Sequence, residues 1–288
     1  MQEEKYINLS SQIKQIDYII KSEIEGEINK RYKELMGQYF TPGNVIDMML
    51  EILEPRPSDI VVDPSAGCGN ILLHTHKFFV SHYGSDGKNV NGLELDEKLI
   101  TICDQFHKDL KLKSKVLQCN TLQIEEFDNS VDVIIGNPPF GKKVNIAGIA
   151  NLNCSIMNYS SQTYQKSTER IEILFLKKCV KMLKEGGKMG IILLDGVLGN
   201  NESEEIRKWL INQGRIMAVI DLPKETFLPY TSVKTSVVVF QKIKQCDRNY
   251  RIFMAIADSC GHDKRGNRIN DDDVSHISEE YKKWCKRI

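Results

Sequence analysis

The sequence predicts an α/β protein built on an open, mostly parallel sheet. Three observations carry that expectation. Short β-branched apolar runs alternate with helical patterns from Val45 onward. The first run, Ile60-Val61-Val62, ends in Asp63 and passes through Pro64-Ser65-Ala66-Gly67-Cys68-Gly69 into a helix. The last two runs, 217–222 and 233–241, leave no room for a helix between them, which predicts an antiparallel hairpin at the sheet edge.

The 288 residues suit one full-sized domain with flanking pieces: a helical segment over 1–36, the main domain over 37–244 and a charged extension over 245–288. Ile7, Ile13, Ile16, Ile20, Ile24 and Ile28 recur at helical spacing in the first piece. Thirty-nine basic and thirty-nine acidic residues cancel, so any nucleic-acid surface must be local. No signal peptide or membrane-length apolar run is present, and the expected location is the cytoplasm. The eight cysteines form no Cys-x-x-Cys pair, which reads as reduced thiols. His74 and His76 lack partnering ligand motifs, and no metal is expected.

Taken in order, Thr41-Pro42 is placed to cap a helix beginning near Val45, Thr by its hydroxyl and Pro in the first turn. Such a helix end also suits a ligand carboxylate. Gly67 and Gly69 remove Cβ atoms where a ligand must approach the backbone. No third glycine follows at dinucleotide spacing. The second strand, 90–95, carries Glu94 at its tip, placed to accept ribose hydroxyls; Asp96 is the lesser candidate. The third, 115–119, ends in Asn120, which either reads an adenine edge or turns the chain.

The fourth strand, 131–136, delivers Asn137-Pro138-Pro139-Phe140. As a bare pattern this is a strand closed by a proline-stopped turn. Its chemistry suggests more. The exocyclic amine of adenine is a poor nucleophile, and methylating it requires two acceptors aimed at its hydrogens. The Asn137 oxygen and the Pro138 carbonyl supply them, stabilising charge that develops only during transfer. Pro139 stiffens the turn. Phe140 offers a face for a base flipped from the DNA stack.

Residues 141–168 are polar and weakly periodic, as in a long functional loop. Over 141–184, eight Lys/Arg stand against two Glu, and Lys142 and Lys143 are the candidates for DNA phosphates. A helix over 171–183, a strand over 189–194 and a helix over 202–212 complete the order.

Together these stretches resemble adenine-specific DNA methyltransferases that use S-adenosylmethionine. The resemblance is greatest to the modification subunit of type I restriction–modification systems. It rests on Gly37-Gln-Tyr-Phe-Thr-Pro42, Asp63-Pro-Ser-Ala-Gly-Cys-Gly69, Asn137-Pro-Pro-Phe140, the 183–198 stretch and Ala218-Val-Ile-Asp-Leu-Pro223 with 231–235. It implies a class I methyltransferase (Rossmann-like) fold. Phe40, Thr41, Pro42, Asp63, Ser65, Gly67 and Gly69 would surround the methionine part of the cofactor. Glu94 would hold the ribose, and Asn120 would sit by the cofactor adenine, where the family more often has Asp. Asn137 and Phe140 would be catalytic in a direct transfer without covalent intermediate, with Pro138 and Pro139 completing the motif. Phe227 or Tyr230 would give a second stacking face. Cys68 replaces the family's usual Ser or Thr.

Family subunits begin with a longer helical domain and continue into a helical tail. No stretch of this sequence is long enough for a DNA target-recognition domain, so sequence choice in double-stranded DNA is expected from a separate specificity subunit, with a restriction (nuclease) subunit as a further partner. The alternatives are an RNA or protein-glutamine methyltransferase, and a non-catalytic scaffold that binds cofactor and DNA.

Overall fold

The computed structural model describes residues 14, 40–85, 87, 89–110, 112–145, 168–228, 231–244, 249–265, 267 and 269–287. The segment expected over 1–36 lies outside these residues apart from Lys14.

Along the chain come α1 (Gly43–Leu53), β1 (Val61–Asp63), α2 (Asn70–Tyr83), β2 (Val90–Glu94), α3 (Glu97–Asp109), β3 (Lys115–Gln118) and β4 (Val131–Gly136). A two-stranded ribbon, β5 (Lys143–Asn145) with β6 (Thr168–Arg170), precedes α4 (Ile171–Met182) and the long β7 (Leu183–Leu194). Then follow α5 (Asp195–Gly199), α6 (Glu204–Gln213), β8 (Gly214–Asp221), β9 (Thr235–Lys242), β10 (Phe253–Ile256) and α7 (Val274–Cys285).

Eight strands form one sheet in the order β10-β8-β9-β7-β4-β1-β2-β3. Every pairing is parallel except those of β9, which runs against both β7 and β8. The strand order reverses between β1 and β4. In a doubly wound sheet, the carboxyl ends of such a pair open a crevice for ligands.

Period-two alternation assigns side chains to the two faces. Val133 and Ile135 of β4, with Val237 and Val239 of β9, join the apolar residues of α1, α2 and α7. Ile134, Val238 and Phe240 point the other way, into a cluster with α4 and α6. α1 lies close over β7: a Cβ on Gly190 would come within 3.0 Å of Leu53 Cδ1.

The expected hairpin forms, with β8 and β9 paired antiparallel from Gly214↔Lys242 to Asp221↔Ser236, but its expected place at the sheet edge is corrected, because β10 pairs outside β8. β9 lies between β7 and β8, and β10 adds a parallel strand outside β8. The stretch over 245–288, set apart in the sequence as a charged extension, is joined to the main sheet. Its apolar run supplies β10, and Phe253 stacks edge-on against Tyr281 and Trp284 of α7. Charged flanks hid a four-residue strand that needs α7 to bury one of its faces. No helix among the described residues is long and apolar enough to cross a membrane.

Candidate active site

The site grows from the adjacent tips of β1 and β4, where Val62 pairs with Ile134. Gly136 lets them close, since a Cβ there would lie 2.8 Å from Pro64 Cδ. Two hydroxyls lock the turns beyond. Ser65 Oγ donates to the Asn137 carbonyl at 3.1 Å, and Thr121 Oγ1 donates to the Pro64 carbonyl at 2.7 Å.

Thr41 ties a third segment to these tips. Asn137 Nδ2 donates to Thr41 Oγ1 at 3.1 Å, and Asn70 Nδ2 donates to the Thr41 carbonyl at 2.9 Å. The cap expected from Thr41 is therefore corrected: its hydroxyl is engaged by Asn137. Pro42 occupies the N-cap position of α1 with no side-chain cap bond, and its carbonyl accepts from Val45 and Ile46.

Below these contacts lies a cavity of about 480 Å³, within the size range of small-molecule and cofactor sites. Phe40, Asp63, Gly67, Glu94, Asn120 and Asn137 line it, as do Thr41, Ser65, Pro138 and Pro139. Glu94 is buried at the tip of β2 with its carboxylate held on both sides. Oε2 accepts from Gly67 N at 2.8 Å; Oε1 accepts from Leu95 N at 2.8 Å and Asp96 N at 2.9 Å. Asp96 turns away from that role, accepting Lys98 N–H at 2.9 Å at the start of α3.

Asp63 is almost wholly buried and accepts from Ser65 N at 2.9 Å. Burial raises its carboxyl to about 7; the Ser65 hydrogen bond opposes the rise and the Glu94 charge adds to it. Asn120 Oδ1 accepts from Leu122 N at 3.1 Å, turning the chain, and the residue also lines the cavity.

The two glycines of the first turn divide their work. Gly67 has a φ of +55° and nothing within 4 Å of where a Cβ would stand, so it keeps the cradle open. Gly69 has a φ of +85°, and a Cβ would meet Cys103 Sγ at 2.3 Å. It permits α2 to pack on α3 and is not among the cavity-lining residues, which corrects its expected place beside a ligand.

Other expected site residues fall elsewhere. Phe227 is 1% exposed within the core cluster of α1, α2 and α7, so it offers no stacking face here. Tyr230 lies outside the described residues. Phe140 is partly exposed and packs against that same core cluster, outside the cavity lining. Lys142 lines the cavity and Lys143 is exposed on β5. Lys166 lies outside the described residues, and several of the other basic residues are held in ion pairs. Lys178 and Lys181 pair with Asp128 at 2.7 and 2.8 Å, and Lys184 pairs with Asp132.

Among the lining residues that the sequence analysis did not single out are Asn70, Thr121 and Phe175. Thr121 follows Asn120 directly, a signal available in the sequence. Phe175 sits in an apolar helix whose pattern does not separate core from cavity. Among the described residues, no group of three or more His, Cys, Asp or Glu is arranged to hold a metal ion.

With this geometry in place, comparison with known proteins is specific. A family model described as N-6 DNA Methylase matches residues 26–287. The methylase subunit of the type I restriction enzyme EcoEI from Escherichia coli is 26% identical over 218 residues, covering 72% of this chain and 42% of the relative. The chain thus spans less than half the length of that curated relative. Two solved structures share the fold. The methyltransferase subunit of a type I restriction–modification system from Streptococcus thermophilus superposes with a TM-score of 0.67 at 22% identity, covering 93% of this chain and 60% of that one. A Listeria monocytogenes protein assigned as a class I S-adenosylmethionine-dependent methyltransferase gives 0.70 at 18% identity, covering 95% and 79%. The match along nearly all of its length shows that this chain belongs to the N-6 DNA methylase family.

Proposed function

We propose that this chain transfers a methyl group from S-adenosylmethionine to adenine N6 in double-stranded DNA, as the modification subunit of a restriction–modification system. One observation carries the reading. The Asn137 amide is held by Thr41 at the wall of a cofactor-sized cavity, at the tip of the strand that also presents Pro138 and Pro139.

The residues present fit the cofactor. Gly67 leaves open space where any other residue would place a side chain, and the buried Glu94 carboxylate reaches the same wall. Glu94 would hold the ribose, Asn120 would lie by the cofactor adenine, and Phe40, Thr41, Asp63 and Ser65 would surround the methionine end. When bound, S-adenosylmethionine supplies an electrophilic methyl group carried on a sulfonium.

The chain's own contribution is placement. Thr41 Oγ1 accepts from Asn137 Nδ2 and so directs the amide oxygen away from itself. That oxygen and the Pro138 carbonyl would accept the two amine hydrogens of a flipped adenine, drawing the nitrogen lone pair out of ring conjugation. Phe140 would support the base face. Lys142 and Lys143 would meet phosphates near the flipped nucleotide. Target choice would come from a separate specificity subunit, with a restriction subunit as a further partner, in the cytoplasm.

The test is Asn137→Ala in the chain produced with its genomic neighbours. Transfer to DNA should be lost while S-adenosylmethionine binding, followed by calorimetry, stays within a fewfold. Undiminished transfer would remove Asn137 from the mechanism.

A further inference from the structure

The first turn of α4 carries a feature that the transfer chemistry above does not use. Glu172 is fully buried, at 0% exposure. Its Oε2 accepts the backbone N–H of Gly141 at 3.2 Å, the residue directly after Phe140. Its Oε1 makes no hydrogen bond among the described residues and has only a long ion pair there, with Arg170 Nε at 3.9 Å. Burying a whole carboxylate is costly, and one long ion pair with one backbone hydrogen bond offsets only part of that, so packing alone gives no reason for an acid here. The amino end of a twelve-residue helix lowers that cost without removing it.

What the carboxylate holds is specific. Gly141 has a φ of +79° with open space at its Cβ position, so glycine is required there by conformation. The next residue is clamped as well, because Ile171 N donates to the Lys142 carbonyl at 2.8 Å. Two successive bonds from the start of α4 therefore fix the chain leaving Phe140. Arg170 braces the same corner from outside. Its Nη2 donates to Ser203 Oγ at 2.7 Å, and Ser203 Oγ donates to the Gly196 carbonyl at 3.0 Å, linking the corner to α5.

We propose that Glu172 is a positioning residue for methyl transfer: by holding the Gly141 N–H it sets the Phe140–Gly141 peptide, and with it the face that receives the target base. The inference rests on the transfer reading given above. A glutamine keeps an acceptor oxygen and nearly the same volume, whereas alanine keeps neither.

The experiment compares Glu172→Gln and Glu172→Ala with the wild-type chain, each produced with its genomic neighbours. Methyl incorporation into unmethylated host DNA is measured against S-adenosylmethionine concentration. Alanine should lower the maximal rate at least tenfold while the half-saturating cofactor concentration stays within twofold, and glutamine should restore most of the rate. Equal rates for alanine and wild type would overturn the proposal, as would a glutamine variant as slow as alanine.

Hydrogen exchange of the peptide spanning 137–142 gives a readout that does not depend on activity. Alanine should speed exchange at Gly141 about tenfold, with glutamine near wild type. Unchanged exchange in the alanine variant overturns the proposal. If the wild-type assembly transfers nothing, the transfer reading has failed, and exchange alone decides whether Glu172 holds the turn. If the alanine variant does not fold, the glutamine variant must match wild type in both rate and exchange, and a tenfold departure in either sinks the idea.

Discussion

Asn137 and Thr41, 96 residues apart in the chain, meet through a 3.1 Å hydrogen bond from side-chain amide to hydroxyl. Thr41 is itself buried and held through its carbonyl by Asn70. The segment before α1 thus orients the side chain that the proposed chemistry depends on.

Removing that hydroxyl at constant shape should misorient Asn137. Thr41→Val leaves an amide donor without its acceptor at a cost of about 1–3 kcal/mol, roughly five- to 160-fold in rate if borne by the transfer step. Thr41→Ser should retain most activity. Steady-state methyl incorporation by the three proteins checks this, and equal rates for Val and Ser would place the function of Thr41 elsewhere.

Glu94 makes three backbone hydrogen bonds and is also assigned the ribose. Glu94→Gln keeps acceptor capacity on only one side. Its S-adenosylmethionine affinity should fall about tenfold, as expected when a charge-assisted hydrogen bond worth roughly 1.5–3 kcal/mol is weakened. Calorimetric titration measures the loss, and wild-type affinity would contradict the assignment.

Gly69→Ala should destabilise the protein. It forces a Cβ to 2.3 Å from Cys103 Sγ and places a side chain at a φ of +85°. Overpacking of a tight core typically costs about 1–3 kcal/mol, and the left-handed backbone adds about 1–2 kcal/mol. Cys103→Ala in the same chain should return part of the loss, because the steric part goes and the backbone part stays. Thermal melts of both variants measure the split.

Asp63 carries a pH signature. Its carboxyl is lifted from an ordinary 3.8 to about 7, so the folded chain binds more protons than the unfolded chain between those values. Stability from this group is intact below 3.8 and is lost as pH rises through about 7. Asp63→Asn should flatten the fall in denaturant-measured stability over that window. A cationic ligand beside Asp63 favours its ionised form, so S-adenosylmethionine affinity should rise with pH through about 7 in the wild type and less in the variant.

The parts of the fold that a local pattern dictates were legible in the sequence. The β-branched run 131–136 is β4 as observed, and the run ending in Asp63 is β1 within one residue. Glu94 and Asn120 stand at the strand ends where their residue types placed them. What escaped depends on partners distant in sequence. Thr41 has the form of a helix cap, and only the approach of Asn137 diverts its hydroxyl. Lys178 and Lys181 read as free positive charge until Asp128 is brought beside them. Gly69 and Gly67 are indistinguishable in the sequence, and the difference between packing and cavity arises from α3 lying across one of them. β10 is short, flanked by charge and stabilised by α7, so its register became visible only with the sheet assembled.

The most direct test of the account is N6-methyladenine in the DNA of a host that lacks the mark. The chain is expressed alone and then with its genomic neighbours, with Asn137→Ala as the matched control. The account predicts methylation when the neighbours are present and none with Asn137→Ala. No methylation by the assembled wild-type subunits, with S-adenosylmethionine binding demonstrated, would contradict the assignment of DNA adenine as the substrate.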